Sequence, residues 1–111
     1  MAIINATLTS TDAAIYSSSG DNAITTIIIC NKSAYVPATP TLNQSLLYLY
    51  AVPAGTTTPT ADNLIVNGLP IPAGETVTFD QEKIVLANGD KIWAKTDSLS
   101  NLVATVSTLA V

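Results

Sequence analysis

The alternation of apolar and polar residues across residues 74–96, GETVTFDQEKIVLANGDKIWAKT, constrains this chain more than any other feature. Thr76, Thr78 and Asp80 alternate with Val77 and Phe79, the period of a strand with one apolar and one polar face. Ile84-Val85-Leu86 forms a second apolar run. Asn88-Gly89 follows, whose tolerance of positive φ favours a tight reversal, and Lys91-Ile92-Trp93-Ala94-Lys95 then resumes as strand. Strand, corner, turn and strand predict the centre of one half of a β-sandwich. The stretch holds the only Trp, the only Phe, both Glu and three of the four Lys, yet no catalytic constellation.

The rest of the chain has the same texture. Residues 2–9 predict a strand with Ile4, Ala6 and Leu8 on one face, within a segment 1–14 that reads as an N-terminal arm or an edge strand. Residues 12–17 predict a short strand carrying Ile15 and Tyr16. Residues 23–31, AITTIIICN, are the most β-prone run, and the unbroken Ile27-Ile28-Ile29-Cys30 predicts a central strand covered on both faces, with Cys30 buried and inert. Residues 32–45, with Pro37 and Pro40 and no apolar period, predict an exposed excursion. From Leu46 to Val52 the alternation puts Leu47, Leu49 and Ala51 on one face and Leu46, Tyr48, Tyr50 and Val52 on the other. Both faces are apolar or aromatic, so one needs a partner other than water.

Residues 53–63 form a polar Pro/Gly/Thr loop, and 64–71 a strand broken near Asn67-Gly68, which Pro70 and Pro72 restrict to an edge or a switch between sheets. Residues 102–111 close the chain as a strand, paired into a sheet or an assembly. No segment of useful length carries a helical period. The expectation is one all-β domain over residues 1–111, a single sandwich of about eight short strands, immunoglobulin-like or jelly-roll.

Composition narrows the function classes. Charged residues make up 11% of the chain against a usual share of about a quarter, while 48% are hydrophobic and the mean hydropathy is +0.40. Either Ser, Thr and Asn cover much of the surface, or other subunits do. The net charge is −4, there is no Arg or His, and Lys32, Lys83, Lys91 and Lys95 are scattered, so no phosphate track exists and nucleic-acid binding is not expected. No apolar run approaches membrane-spanning length, and the N-terminal residues lack a basic region followed by an apolar one, which predicts synthesis in a cytoplasm without a signal peptide and no membrane partner. Asn5-Ala6-Thr7, Asn31-Lys32-Ser33 and Asn43-Gln44-Ser45 then read as coincidental sequons. Cys30 is the sole cysteine and has no intramolecular disulfide partner.

Candidate sites are few. Without His, a Ser or Cys nucleophile has no base of suitable pKa, and that route to hydrolysis is closed. Asp80 and Glu82 share one side of a strand and do not flank a cleft, so they read as a solvated corner balanced by Lys83. Asp80, Glu82 and Asp90 can meet at one end of a sandwich around a calcium ion, although their spacing matches no dedicated loop. The reading adopted is no metal and no cofactor. Trp93, with Lys91 and Lys95 on its own strand face, suits stacking on a sugar or base, or an association hot spot. The second is favoured because the neighbouring sequence supplies no further groups for a cleft, and Leu46, Tyr48, Tyr50, Val52 and Trp93 are the candidate interface residues.

The succession IYSSSGDNAITTIIICN, LLYLYAVP, LIVNGLPIPAGETVTF and KIVLANGDKIWAKTDSLSNLVATVSTLAV resembles small virion structural proteins of tailed bacteriophages, common in cyanophages. The likeness runs from Ile15 to Val111. Its most specific parts are Pro72-Ala73-Gly74-Glu75-Thr76, Leu86 with Gly89-Asp90 and Ile92, and Thr105-Val106-Ser107. The resemblance implies a β-sandwich that assembles on a particle and carries over no active-site residue. It leads to the expectation of a non-enzymatic capsid decoration or cement protein on the head shell, a homo-oligomer, as a trimer at local three-fold positions, bound to the major capsid protein or another virion protein. The alternatives are a tail, neck or baseplate component, and a carbohydrate-binding module of a fibre that uses Trp93 and a tyrosine.

Overall fold

A computed structural model describes residues 2–80, 84–97 and 101–111. Its strands are β1 (Ala2–Thr7), β2 (Ala13–Ser17), β3 (Asn22–Asn31), β4 (Ser45–Val52), β5 (Leu64–Ile71), β6 (Thr76–Phe79), β7 (Ile84–Leu86), β8 (Lys91–Lys95) and β9 (Leu102–Ala110). A 3-10 turn at Ala61–Asn63 is the only helical element among the described residues. The strands form two antiparallel sheets, one in the order β1-β9-β3-β6 with β7 also paired to β3, the other in the order β2-β8-β4-β5. β6 and β7 pair with opposite ends of β3, Ile27–Cys30 and Asn22–Ile24 respectively, so they act as one interrupted strand.

Counted that way, the strands pair as nested hairpins: β1 with β9, β2 with β8, β3 with β6 and β7, and β4 with β5. A long hairpin of eight strands wrapped over itself leaves alternate pairs in alternate sheets, which is the jelly roll and not the immunoglobulin arrangement.

The core lies between the sheets. Ile27, Ile29, Leu102, Ala104 and Val106 of the larger sheet meet Leu47, Leu49, Ile71, Ile92 and Ala94 of the smaller one, all buried. Each large side chain among them contributes about 1.5–3 kcal/mol by leaving water. Ile4, Ala6 and Leu8 point inward as their alternation predicts, and β1 is an edge strand paired to β9 from Ala2↔Thr108 to Thr7↔Val103. In β2 the register shifts between Ala14 and Tyr16, and the neighbours Ile15 and Tyr16 are both buried. β5 is the edge strand that Pro70 requires, with register shifts that skip Gly68 and Ile65.

Two expectations are corrected. The turn at Asn88-Gly89 does not join a hairpin within one sheet: β7 belongs to the larger sheet and β8 to the smaller, so the turn carries the chain across the sandwich. Gly89 sits there at φ 89°, and a Cβ on it would lie 3.0 Å from that of Ala54, so a side chain would be strained in its backbone and would have to push Ala54 aside. The second concerns β3, which is central in its sheet but not covered on both faces. Ile28 is 36% exposed and Cys30 only half-buried, because both point to the side of the sheet away from the sandwich core.

Three polar side chains fasten the ends of the sandwich, Asn31 at one and Asp90 with Asn88 at the other. Asn31, 1% exposed, donates from Nδ2 to the carbonyls of Asn43 and Ile71 at 2.9 Å each, and its Oδ1 accepts from the Ser33 N–H at 3.0 Å. The excursion after β3 is thereby tied to the end of β5. At the other end Asp90 accepts from the N–H groups of Ala54 at 2.8 Å and Ala87 at 2.9 Å. Asn88 Oδ1 accepts from the Gly20 N–H at 2.8 Å, which joins this turn to the loop after β2.

Candidate functional site

The pleat gives each sheet an outer face, and the two faces differ in chemistry. On the larger sheet, cross-strand pairing sets Ile3, Ser107 and Thr26 in one row and Asn5, Thr105, Ile28 and Thr78 in the next. Thr7, Val103, Cys30 and Thr76 form a third row, and Leu109, Ala23 and Val85 a fourth. None of these side chains is charged. Ile3 is 71% exposed, Val85 66% and Leu109 46%, so several large apolar groups stand in water among hydroxyls. Single exposed apolar residues need no explanation, but a contiguous set of paired positions without a charge, which has Asp80 only at its rim after Thr78 among the described residues, marks a place where another surface can lie without desolvating an ion of those rows.

The smaller sheet presents the other kind of face. Ala14, Trp93, Tyr50 and Leu64 form one row across β2, β8, β4 and β5, and Lys95, Tyr48 and Asn67 the adjacent one, with Asp12 just before β2. Lys95 Nζ lies 5.0 Å from the centre of the Tyr48 ring, in reach of its π-face. The Tyr50 phenol interacts with Asp12 and Lys95; burial first, and then the negative charge of Asp12, raise its pKa above the ordinary 10.0 against the lowering pull of Lys95. Trp93 Nε1 and Asp12 Oδ1 are buried without a hydrogen-bond partner among the described residues. The ring of Tyr48 lies against Gly68, where a Cβ would come within 3.6 Å of it.

All five expected interface residues therefore belong to the strands of this second sheet, and pairing sets Tyr48, Tyr50 and Trp93 side by side on its outer face. Their exposure is uneven. Tyr50 and Val52 are already buried within the chain, at 6% and 2%, while Leu46, Tyr48 and Trp93 are half-buried. The sequence also left Trp93 without aromatic neighbours, whereas the fold adds two tyrosines to the Lys95 already expected on its face. The exposed apolar groups of the first face escaped the sequence reading, although the outward set Val103, Thr105, Ser107 and Leu109 was visible in the alternation of β9.

Other arrangements have less to offer. Glu82 lies outside the described residues, and both oxygens of Asp90 hold backbone N–H groups, so the calcium constellation loses one ligand to the turn. No group of three or more His, Cys, Asp or Glu side chains fit for a metal occurs among the described residues. A cavity of about 280 Å³ opens between the sheets, lined by Ile24, Ile27, Leu49, Val66, Phe79, Ile84 and the half-exposed Ile65. Its lining among the described residues is apolar, and none of them supplies the convergent polar groups that orient a substrate. No helix among the described residues is long and apolar enough to cross a membrane. Comparison with known proteins found no family model, no curated protein and no solved structure that matches the chain.

Proposed function

We propose that this chain is a non-enzymatic structural protein of a tailed-bacteriophage virion: a capsid decoration protein, made in the host cytoplasm, that lies on the head shell and associates with itself and with the major capsid protein. The observation that carries the reading is the uncharged outer face of the larger sheet, with Ile3, Ile28, Val85 and Leu109 exposed on it. Covering such a face removes apolar area from water at about 25 cal/mol per Å² and strands no charge. A contact of that kind laid across capsomer boundaries strengthens a shell without chemistry. The jelly roll is an architecture of viral capsid domains, which agrees with the sequence resemblance but is a likeness of fold alone.

Quantitative mass spectrometry of purified virions tests the proposal. Hundreds of copies per particle are expected; a few to dozens would move the protein to the tail, neck or baseplate, and its absence from virions would end the reading.

One observation favours a second reading, a carbohydrate-binding module of a fibre. Jelly rolls also serve as lectin domains, and Trp93 Nε1 and Asp12 Oδ1 are an unpartnered donor and acceptor beside Tyr50, Trp93 as its cross-strand neighbour and Asp12 as its charge partner. Titration of Trp93 fluorescence with a panel of glycans decides it, and no response to any of them removes this reading.

A further inference from the structure

The edges of the two sheets are defended unequally. β5 carries two register shifts, Gly68 and Pro70; β2 is broken by a register shift; β6 and β7 are two short pieces of an interrupted edge. These are the devices by which sheets avoid pairing with other chains. β1, AIINAT, has none of them: its six residues keep unbroken register with β9 and include no charge, no Pro and no Gly. Its backbone is also directional. The Leu8 N–H donates to the Leu102 carbonyl at 3.0 Å, and in an antiparallel ladder the residues alternate, so Ala2, Ile4 and Ala6 turn their N–H and C=O groups to β9 while Ile3, Asn5 and Thr7 turn theirs outward.

We propose that β1 pairs antiparallel with β1 of a second copy about a two-fold axis at Asn5, which joins two five-stranded sheets into one continuous sheet. Asn5 then faces Asn5 of the second copy, and Ile3 faces Thr7 in both directions. The outward groups exchange about six backbone hydrogen bonds. A two-fold axis sets a residue against its own copy, where a charge would meet a like charge; β1 has none to meet. The pairing also carries the uncharged outer face unbroken from one copy to the next, because Ile3, Asn5 and Thr7 are its outermost residues. The self-associating unit is accordingly a dimer in place of the trimer expected from capsid symmetry. This deepens the assembly reading but does not need the virion.

The test is analytical ultracentrifugation of the full chain from micromolar to millimolar concentration, with amide hydrogen exchange at both ends of the range. A species of twice 11.5 kDa is expected, in which the Ile3, Asn5 and Thr7 amides become protected as it forms. Asn5→Pro deletes an outward N–H and no bond to β9, and Asn5→Lys sets like charges face to face; each should give a monomer with the circular dichroism of the parent. A parent that stays monomeric, a trimer, or a dimer that persists in both folded variants with those three amides still exchanging freely, would overturn the pairing. The virion count bears on the assignment to a phage particle and leaves this result untouched.

Discussion

The outer face of the smaller sheet is rich in aromatics and charge, the paired positions described on that of the larger sheet have neither, and the richer face is the less available of the two. Tyr50 and Val52 are enclosed by their own chain and Lys95 lies over Tyr48, so much of the area that large rings offer to a partner is already in use within the fold. On the larger sheet the side chains are smaller, yet Ile3, Val85 and Leu109 remain in water. A residue type enriched at interfaces is therefore a weaker guide than the area it has left to bury.

Substitutions on the two faces should separate these roles, beginning with the largest effect. Tyr50→Ala empties a buried site, and it should lower stability by about 3–5 kcal/mol in urea unfolding. A loss well below about 1 kcal/mol would mean that the ring is not enclosed and that the smaller sheet is an open surface after all. Tyr50→Phe keeps the ring and removes the hydroxyl beside Asp12 and Lys95, at an expected cost of about 1 kcal/mol.

The same phenol gives a pH dependence. Its pKa is raised in the folded state, so the folded chain holds the proton more tightly than the unfolded one. The stabilisation is fully present below the unfolded value near 10.0 and is lost as pH rises through the folded value. Melting temperatures above about pH 10 should fall more for the parent than for Tyr50→Phe, and equal slopes would remove Tyr50 as the cause. The smallest change in stability belongs to the larger sheet: Ile28→Lys, at an outward position, should move it by no more than about 0.5 kcal/mol. On the proposed decoration role it should nevertheless abolish binding to a virion, scored by sedimentation of phage particles with the variant.

Much of this architecture was legible in the sequence and its closure was not. Period-two alternation marks each strand because it reports a local property, one face wet and one dry. Sheet membership is not local. Ile84-Val85-Leu86 and Lys91 to Lys95, on either side of Asn88-Gly89, look like a hairpin and lie in different sheets. The fastenings at the two ends were equally hidden, since Asn31 finds the Ile71 carbonyl 40 residues away and Asp90 the Ala54 N–H 36 residues away. The run Ile27 to Cys30 misled for a different reason. Four consecutive apolar residues suit a strand covered on both sides, and within this chain only Ile27 and Ile29 are covered. The outward pair Ile28 and Cys30 carries no local signal that separates it from the inward pair, because an apolar run has no polar position to mark the wet face.

Cys30 is the natural reporter for that neighbour, since it sits between Val103 and Thr76 on the uncharged face, half-buried, and is the sole thiol. The decisive measurement is the rate at which a small thiol reagent labels Cys30 in the free folded protein and in intact virions that contain it. Labelling of the free protein, with strong protection on the particle that is lost when the protein is released, is the predicted result. Equal rates in the two states would show that the larger sheet's outer face is not the one the particle covers.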